Sequence, residues 1–202
     1  ILLICDEVMA GFGRTGKLFA FEHGDIVPDL LTMAKGLTSS YVPMGAVGMR
    51  APIAEHFRKN VFWGGLTYNA HAFCCSVALA AVDALVGEGM VENAARLEPV
   101  VRQHMEHLKS RHVSVAGHRN IGLFGIVEVR KNSRGDRIAP YNGAHPAMGK
   151  LAAFFRDNGL FTFVRWDTFM VNPPLCITED ELAQGFEIID RGLAITDEAF
   201  EG

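Results

Sequence analysis

Over the first fifty residues, short unbroken apolar runs alternate with glycine- and proline-rich connections. Runs of this kind predict strands of a sheet covered on both faces. Residues 1–5 read as the first buried strand, residues 30–34, introduced by Pro28-Asp29, as the second, and residues 44–49, after Pro43, as the third. A glycine-rich loop over residues 10–16 follows the first run. Pro52 suits the first turn of a helix and predicts one near residues 52–59. Residues 60–67, with Gly64-Gly65, read as loop. Residues 70–86 are rich in Ala, Cys and Leu and predict a tightly packed helix, interrupted by Gly87 and Gly89.

The period then changes. Leu97, Val100, Val101, Met105 and Leu108 recur at helical spacing and predict a helix over residues 91–109. Residues 113–116 and 123–129 alternate like half-buried strands. Residues 131–143 are a polar turn region, and residues 146–158 read as a helix stopped by Gly159. Residues 161–164 and 169–171 are short strands, the second ended by Pro173-Pro174. Thr178 followed three residues on by Glu181 is a capping box that opens a last helix. The first half therefore reads as α/β with a mostly parallel sheet, and the second as a smaller α+β unit. The division falls in the helical stretch near residues 90–100, giving domains 1–95 and 96–202.

Composition narrows the function. At 202 residues, 49% hydrophobic and 21% charged, the chain can bury a sizeable core. A net charge of −4 with dispersed Lys and Arg gives no reason to expect nucleic acid or an anionic membrane as partner. No apolar run approaches the ~20 residues of a membrane span. Cys5, Cys74, Cys75 and Cys176 have no zinc-ligand spacing, so no metal site is expected. Three of them sit in apolar runs, and a reducing, cytoplasmic setting fits best. The chain opens at Ile1 inside an apolar run, without cap or turn, and is expected to be the carboxyl-terminal part of a longer protein.

The loop Gly11-Phe-Gly-Arg-Thr-Gly16 matches two nucleotide motifs by letter. As G-x-G-x-x-G it must open a helix, yet the stretch from Lys17 is cut short by Gly24, Asp25 and Pro28. As a phosphate-binding loop of the G-x-x-x-x-G-K-[ST] type it lacks its magnesium ligand, because Leu18 stands at the Ser/Thr position. The remaining reading is a sharply turning backbone beside a ligand.

Two polar residues end the first two apolar runs. Asp6 closes Ile1-Leu-Leu-Ile-Cys-Asp6, and Lys35 closes Asp29-Leu-Leu-Thr-Met-Ala-Lys35. Each alone could be a solvated strand end. Together, an amine at the end of one buried strand and a carboxylate at the end of another suit pyridoxal phosphate, which needs a lysine for an imine and an acid to keep its ring nitrogen protonated.

Three strings carry a family resemblance: Asp6-Glu-Val-Met-Ala-Gly-Phe-Gly-Arg-Thr-Gly16, Pro28-Asp-Leu-Leu-Thr-Met-Ala-Lys-Gly36 and Gly65-Leu-Thr-Tyr-Asn-Ala-His71. In order and spacing the chain resembles class III pyridoxal-phosphate aminotransferases. Its tail resembles the ω-amino acid–pyruvate subgroup, which includes taurine and β-alanine enzymes. One departure is Ala72, where the family often has Pro. The resemblance implies a fold-type-I large domain, of which residues 1–95 are the later part, followed by a small domain over residues 96–202. It implies pyridoxal 5'-phosphate as cofactor and ping-pong transfer, through pyridoxamine phosphate, from an ω-amino acid or amine to a 2-keto acid such as pyruvate. Asp6 resembles the acid at the ring nitrogen, Val8 the aliphatic residue on the ring, and Lys35 the imine-forming base. Thr67 resembles the hydroxyl that reaches the cofactor phosphate of a neighbouring subunit, so a homodimer is implied. Arg165 resembles the arginine that clamps a substrate carboxylate, although it precedes Pro173 by only eight residues. The family's phosphate loop and ring-stacking residue lie outside these 202 residues, and the chain alone is expected to be inactive. An aminomutase or racemase on the same scaffold, or a purely structural module, are the rival readings.

Overall fold

A computed structural model describes residues 1–202. The chain divides into two compact units, Ile1–Ala95 and Arg96–Gly202.

The first unit holds three short strands, β1 (Ile4–Asp6), β2 (Leu30–Met33) and β3 (Ala46–Met49), in the order β1-β2-β3. β1 and β2 are parallel, with Ile4 opposite Leu30 and Asp6 opposite Thr32. β2 and β3 are antiparallel. Asp29 fastens the start of the sheet: it accepts from the Leu3 amide at 2.9 Å and pairs with Arg50 at 3.3 Å. The Leu3 hydrogen bond, and then Arg50, hold its carboxyl below the ordinary aspartate range. Helix α1 (Ala51–Lys59) follows with proline in its first turn, then α2 (Ala72–Gly87), where the His71 ring accepts from the Phe73 amide at 3.3 Å.

Two expectations change in this unit. The apolar run at residues 1–5 does not form a buried strand; only Ile4–Asp6 pairs, and Ile4 is 58% exposed. β1 is the end strand of the sheet, and an apolar run marks burial only where another layer of the fold covers it. Likewise α2 is apolar on every side, yet only Ala78 and Leu85 are buried, while Phe73, Leu79 and Val86 face outward. A helix apolar all round suits an environment with neighbours on every side.

Helix α3 (Met90–Arg111) begins in the first unit and runs into the second. There the sheet is antiparallel throughout: β4 (Val115–Ile121), β5 (Phe124–Val129), β6 (Val164–Arg165) and β7 (Thr168–Val171), ordered β4-β5-β7-β6. Helices α4 (Pro146–Asp157) and α5 (Glu179–Asp197) complete it. Leu97, Val101, Met105 and Leu108 of α3 are fully buried, as are Val127, Phe169, Leu151, Phe155 and Leu193. The capping box is present: Thr178 Oγ1 accepts from the Glu181 amide at 3.2 Å, and Glu181 Oε2 accepts from the Thr178 amide at 2.9 Å. The predicted strand over residues 161–164 is shorter and shifted. Only Val164–Arg165 pairs as a strand, and Phe161 and Phe163 are exposed.

A polar knot ties the end of α3 to α5. His112 is buried, with Nδ1 2.6 Å from Asp197 Oδ2 and Nε2 3.0 Å from Asp190 Oδ1. Asp197 Oδ1 accepts from the Ser114 amide at 3.0 Å and its hydroxyl at 2.6 Å. Burial works against the charge on Asp197, but the Ser114 hydroxyl, His112 and the Ser114 amide together hold its pKa below the ordinary value.

Candidate active site

Asp6 is the last residue of β1, and Lys35 stands two residues beyond the end of β2. Because the two strands are parallel, both ends lie at one edge of the sheet. Ligands of open α/β sheets sit outside such carboxyl ends.

The Asp6 side chain is exposed and half-engaged. Its Oδ1 accepts from the Val8 amide at 3.0 Å and from the Thr32 hydroxyl at 3.1 Å. Glu7, the first residue beyond β1, continues the alternation and turns to the opposite face. It is only 3% exposed, and its carboxylate accepts from the Phe21 amide at 2.8 Å and the Ala20 amide at 3.0 Å. Its own amide donates to the Thr32 carbonyl at 2.9 Å, and its carbonyl accepts from the Gly11 amide at 2.9 Å. Glu7 thus moors the strand end to the 3₁₀ turn Ala20–Gly24 while Asp6 is presented on the other side.

The glycine-rich loop folds against this framework. A Cβ at Gly11 would lie 2.8 Å from the Glu7 carbonyl oxygen, and one at Gly36 would lie 2.7 Å from Phe12 Cβ. Phe12 is buried and packs edge-on to Phe19, with ring centroids 5.3 Å apart. No α-helix opens at Gly16; the chain makes only the 3₁₀ turn Ala20–Gly24. The dinucleotide and phosphate-loop matches therefore lack the helix amino terminus their chemistry requires. The loop instead supports the turn that carries Lys35.

Lys35 opens the 3₁₀ turn Lys35–Leu37 with φ of 44°. That left-handed conformation is strained for a residue with a Cβ, and such strain gathers at functional sites. The side chain is exposed and forms no ion pair. Val8 is half-buried in the turn after β1.

Thr67 sits in an exposed turn closed by the Asn69 amide on the Leu66 carbonyl at 3.0 Å. Its neighbours Trp63, Leu66 and Tyr68 are exposed too. Its hydroxyl makes no contact with Asp6 or Lys35 within the chain. Arg165 belongs to the second unit and lies within β6, opposite Thr168, rather than after a strand. It is exposed, has no carboxylate partner, and lies over the Trp166 ring at 4.2 Å. Trp166 in turn stands 4.3 Å from the Tyr141 ring.

Two residues escaped the sequence reading. Glu7 was legible in part, since strand alternation puts the second of two adjacent acids on the opposite face. Thr32 was not, because its place opposite Asp6 depends on register. No three His, Cys, Asp or Glu side chains gather as a metal site, and no single helix is long and apolar enough to cross a membrane. The donor set at the sheet edge fits a pyridine aldehyde cofactor: an unpaired amine, a carboxylate with an oxygen to spare, and an aliphatic neighbour.

Comparison with known proteins gives the family. The model of the class-III aminotransferase family matches residues 1–193. Gamma aminobutyrate transaminase 1, mitochondrial, of Solanum lycopersicum is 33% identical over 100% of this chain and 39% of its own length. The omega-aminotransferase of Caulobacter vibrioides is 35% identical over 98% of this chain and 44% of its own. The crystal structure of taurine:2-oxoglutarate aminotransferase from Bifidobacterium kashiwanohense, in complex with PLP and glutamate, superposes with a TM-score of 0.94 at 37% identity, over 98% of this chain and 45% of that one. The chain thus spans less than half the length of these relatives. An amine and a carboxylate at one edge of an α/β sheet, the three motifs around them and these matches lead to one conclusion: the chain belongs to the class-III aminotransferase family.

Proposed function

We propose that the protein containing this chain is a pyridoxal-phosphate-dependent transaminase moving an amino group from an ω-amino acid or amine to a 2-keto acid such as pyruvate, by ping-pong exchange. The observation that carries this reading is the convergence of Asp6 and Lys35 at the carboxyl edge of the parallel pair β1–β2. The bound cofactor would supply an electron sink for charge developing on the substrate carbon. Lys35 Nζ would hold the cofactor covalently and would serve as the base that moves a proton at the substrate carbon. Asp6 Oδ2 would hold the ring-nitrogen proton in a charge-assisted hydrogen bond. Val8 would pack on the ring and keep water from it. Arg165 receives the keto acid's carboxylate, a task for which a guanidinium without an acid partner is suited. Thr67, on its exposed turn, reaches the cofactor phosphate of a second subunit, which makes the working protein a dimer.

Incubating the full-length protein with pyridoxal phosphate, β-alanine or taurine, and pyruvate should yield alanine. Lys35→Ala should abolish the transfer, and borohydride reduction followed by peptide mapping should label Lys35 alone. Labelling at another lysine would refute the assignment. Turnover without net transfer to a keto acid would replace transamination by an aminomutase or racemase reaction.

A further inference from the structure

The two oxygens of Asp6 are unequal. Oδ1 takes both donors, the Val8 amide at 3.0 Å and the Thr32 hydroxyl at 3.1 Å, and no group in the chain hydrogen-bonds Oδ2. The donors come from different places. The Val8 amide lies two residues along the same segment, whereas Thr32 is delivered by β2, directly opposite Asp6 in parallel register. An aspartate carboxylate rotates easily about its last torsion, which is broad and roughly two-fold. One donor leaves it a pivot. A second donor from a separate strand removes that freedom and sets which oxygen looks outward.

We propose that Thr32 is a positioning residue for the transamination site: by holding Asp6 Oδ1 to the sheet, its hydroxyl leaves Oδ2 fixed as the acceptor for the cofactor's ring nitrogen. The inference rests on the reading of Asp6 as the acid at that nitrogen. Its physical content is that a charge-assisted N–H···O bond is directional, and a carboxylate held in place by supporting hydrogen bonds loses less in forming it. The register makes the device economical. Glu7, the residue after Asp6, donates its amide to the Thr32 carbonyl at 2.9 Å, so the backbone of Thr32 aligns the strand and its side chain orients the acid.

The test uses the full-length protein loaded with ring-¹⁵N pyridoxal phosphate, reading the ring-nitrogen resonance and the dissociation constant of the cofactor. Thr32→Val keeps the β-branched shape without the donor, and Thr32→Ser keeps the donor without the methyl. Thr32→Val should move the resonance part of the way from the wild-type position toward that of Asp6→Asn and weaken cofactor binding about 5- to 10-fold, within the range for one ordinary intramolecular hydrogen bond. Thr32→Ser should keep the wild-type resonance and bind within about twofold of wild type. Thr32→Ala serves as the second hydroxyl-free variant if Thr32→Val does not fold. A wild-type resonance and affinity in the hydroxyl-free variant would overturn the proposal, and so would Thr32→Ser behaving as Thr32→Val does. An unmoved resonance in Asp6→Asn would instead overturn the reading of Asp6 on which the proposal stands.

Discussion

At the scale of residues, neighbours in sequence divide the work by facing opposite ways. Asp6 is exposed and offers an oxygen outward, while Glu7 is buried and spends both oxygens on the backbone amides of residues 20 and 21. Glu7→Ala should therefore cost stability beyond the lost side chain, because two amides are left without acceptors. At roughly 1–3 kcal/mol for each unsatisfied buried group, the sum is about 2–6 kcal/mol. Chemical denaturation of the full-length protein measures it, and a loss below about 0.5 kcal/mol would show that water or a neighbour replaces the carboxylate. Arg165 makes a different demand. Its guanidinium rests on Trp166 and has no acid beside it. Arg165→Ala should raise the KM for a keto acid far more than for an amine without a carboxylate, by about 1.5–3 kcal/mol of binding. Equal effects on both substrates would remove Arg165 from substrate recognition.

At the scale of elements, the helices were the most legible part of the chain. Thr178 and Glu181 mark the start of α5, and Leu97, Val101, Met105 and Leu108 draw the buried stripe of α3, because caps and periods are local properties. Burial of whole elements was not legible where it depends on partners. The apolar letters of β1 and α2 report an environment this chain does not itself supply, so residues 1–4 and much of α2 are exposed. Asp6 and Lys35 could be read because they punctuate apolar runs, but Thr32 required the register of two strands distant in sequence. The knot between α3 and α5 was invisible for the same reason: His112 and Asp197 stand 85 positions apart. That knot predicts an acid-sensitive joint. Asp197 has a depressed pKa in the folded state, so its contribution is complete above the ordinary aspartate value of about 3.9 and is lost as the pH falls below it. Thermal unfolding between about pH 5 and pH 2 should show a steeper acid loss in the wild type than in Asp197→Asn. Parallel curves would show that Asp197 does not contribute to the acid transition.

For the molecule as a whole, the backbone at Lys35 sets stability and chemistry against each other. A left-handed φ of 44° is one that glycine adopts freely and lysine does not. The fold would be more relaxed with the Lys35 side chain removed altogether. Lys35→Gly should be the reverse of an ordinary loss-of-function variant, inactive yet sturdier. In the cofactor-free protein, where ligand binding does not mask the difference, it should exceed Lys35→Ala in unfolding free energy by about 1 kcal/mol. Equal stability of the two variants would mean that the turn relaxes once the lysine is gone. If the difference holds, selection for thermostability alone would tend to erase this lysine, and libraries screened only for robustness would collect dead enzymes at position 35.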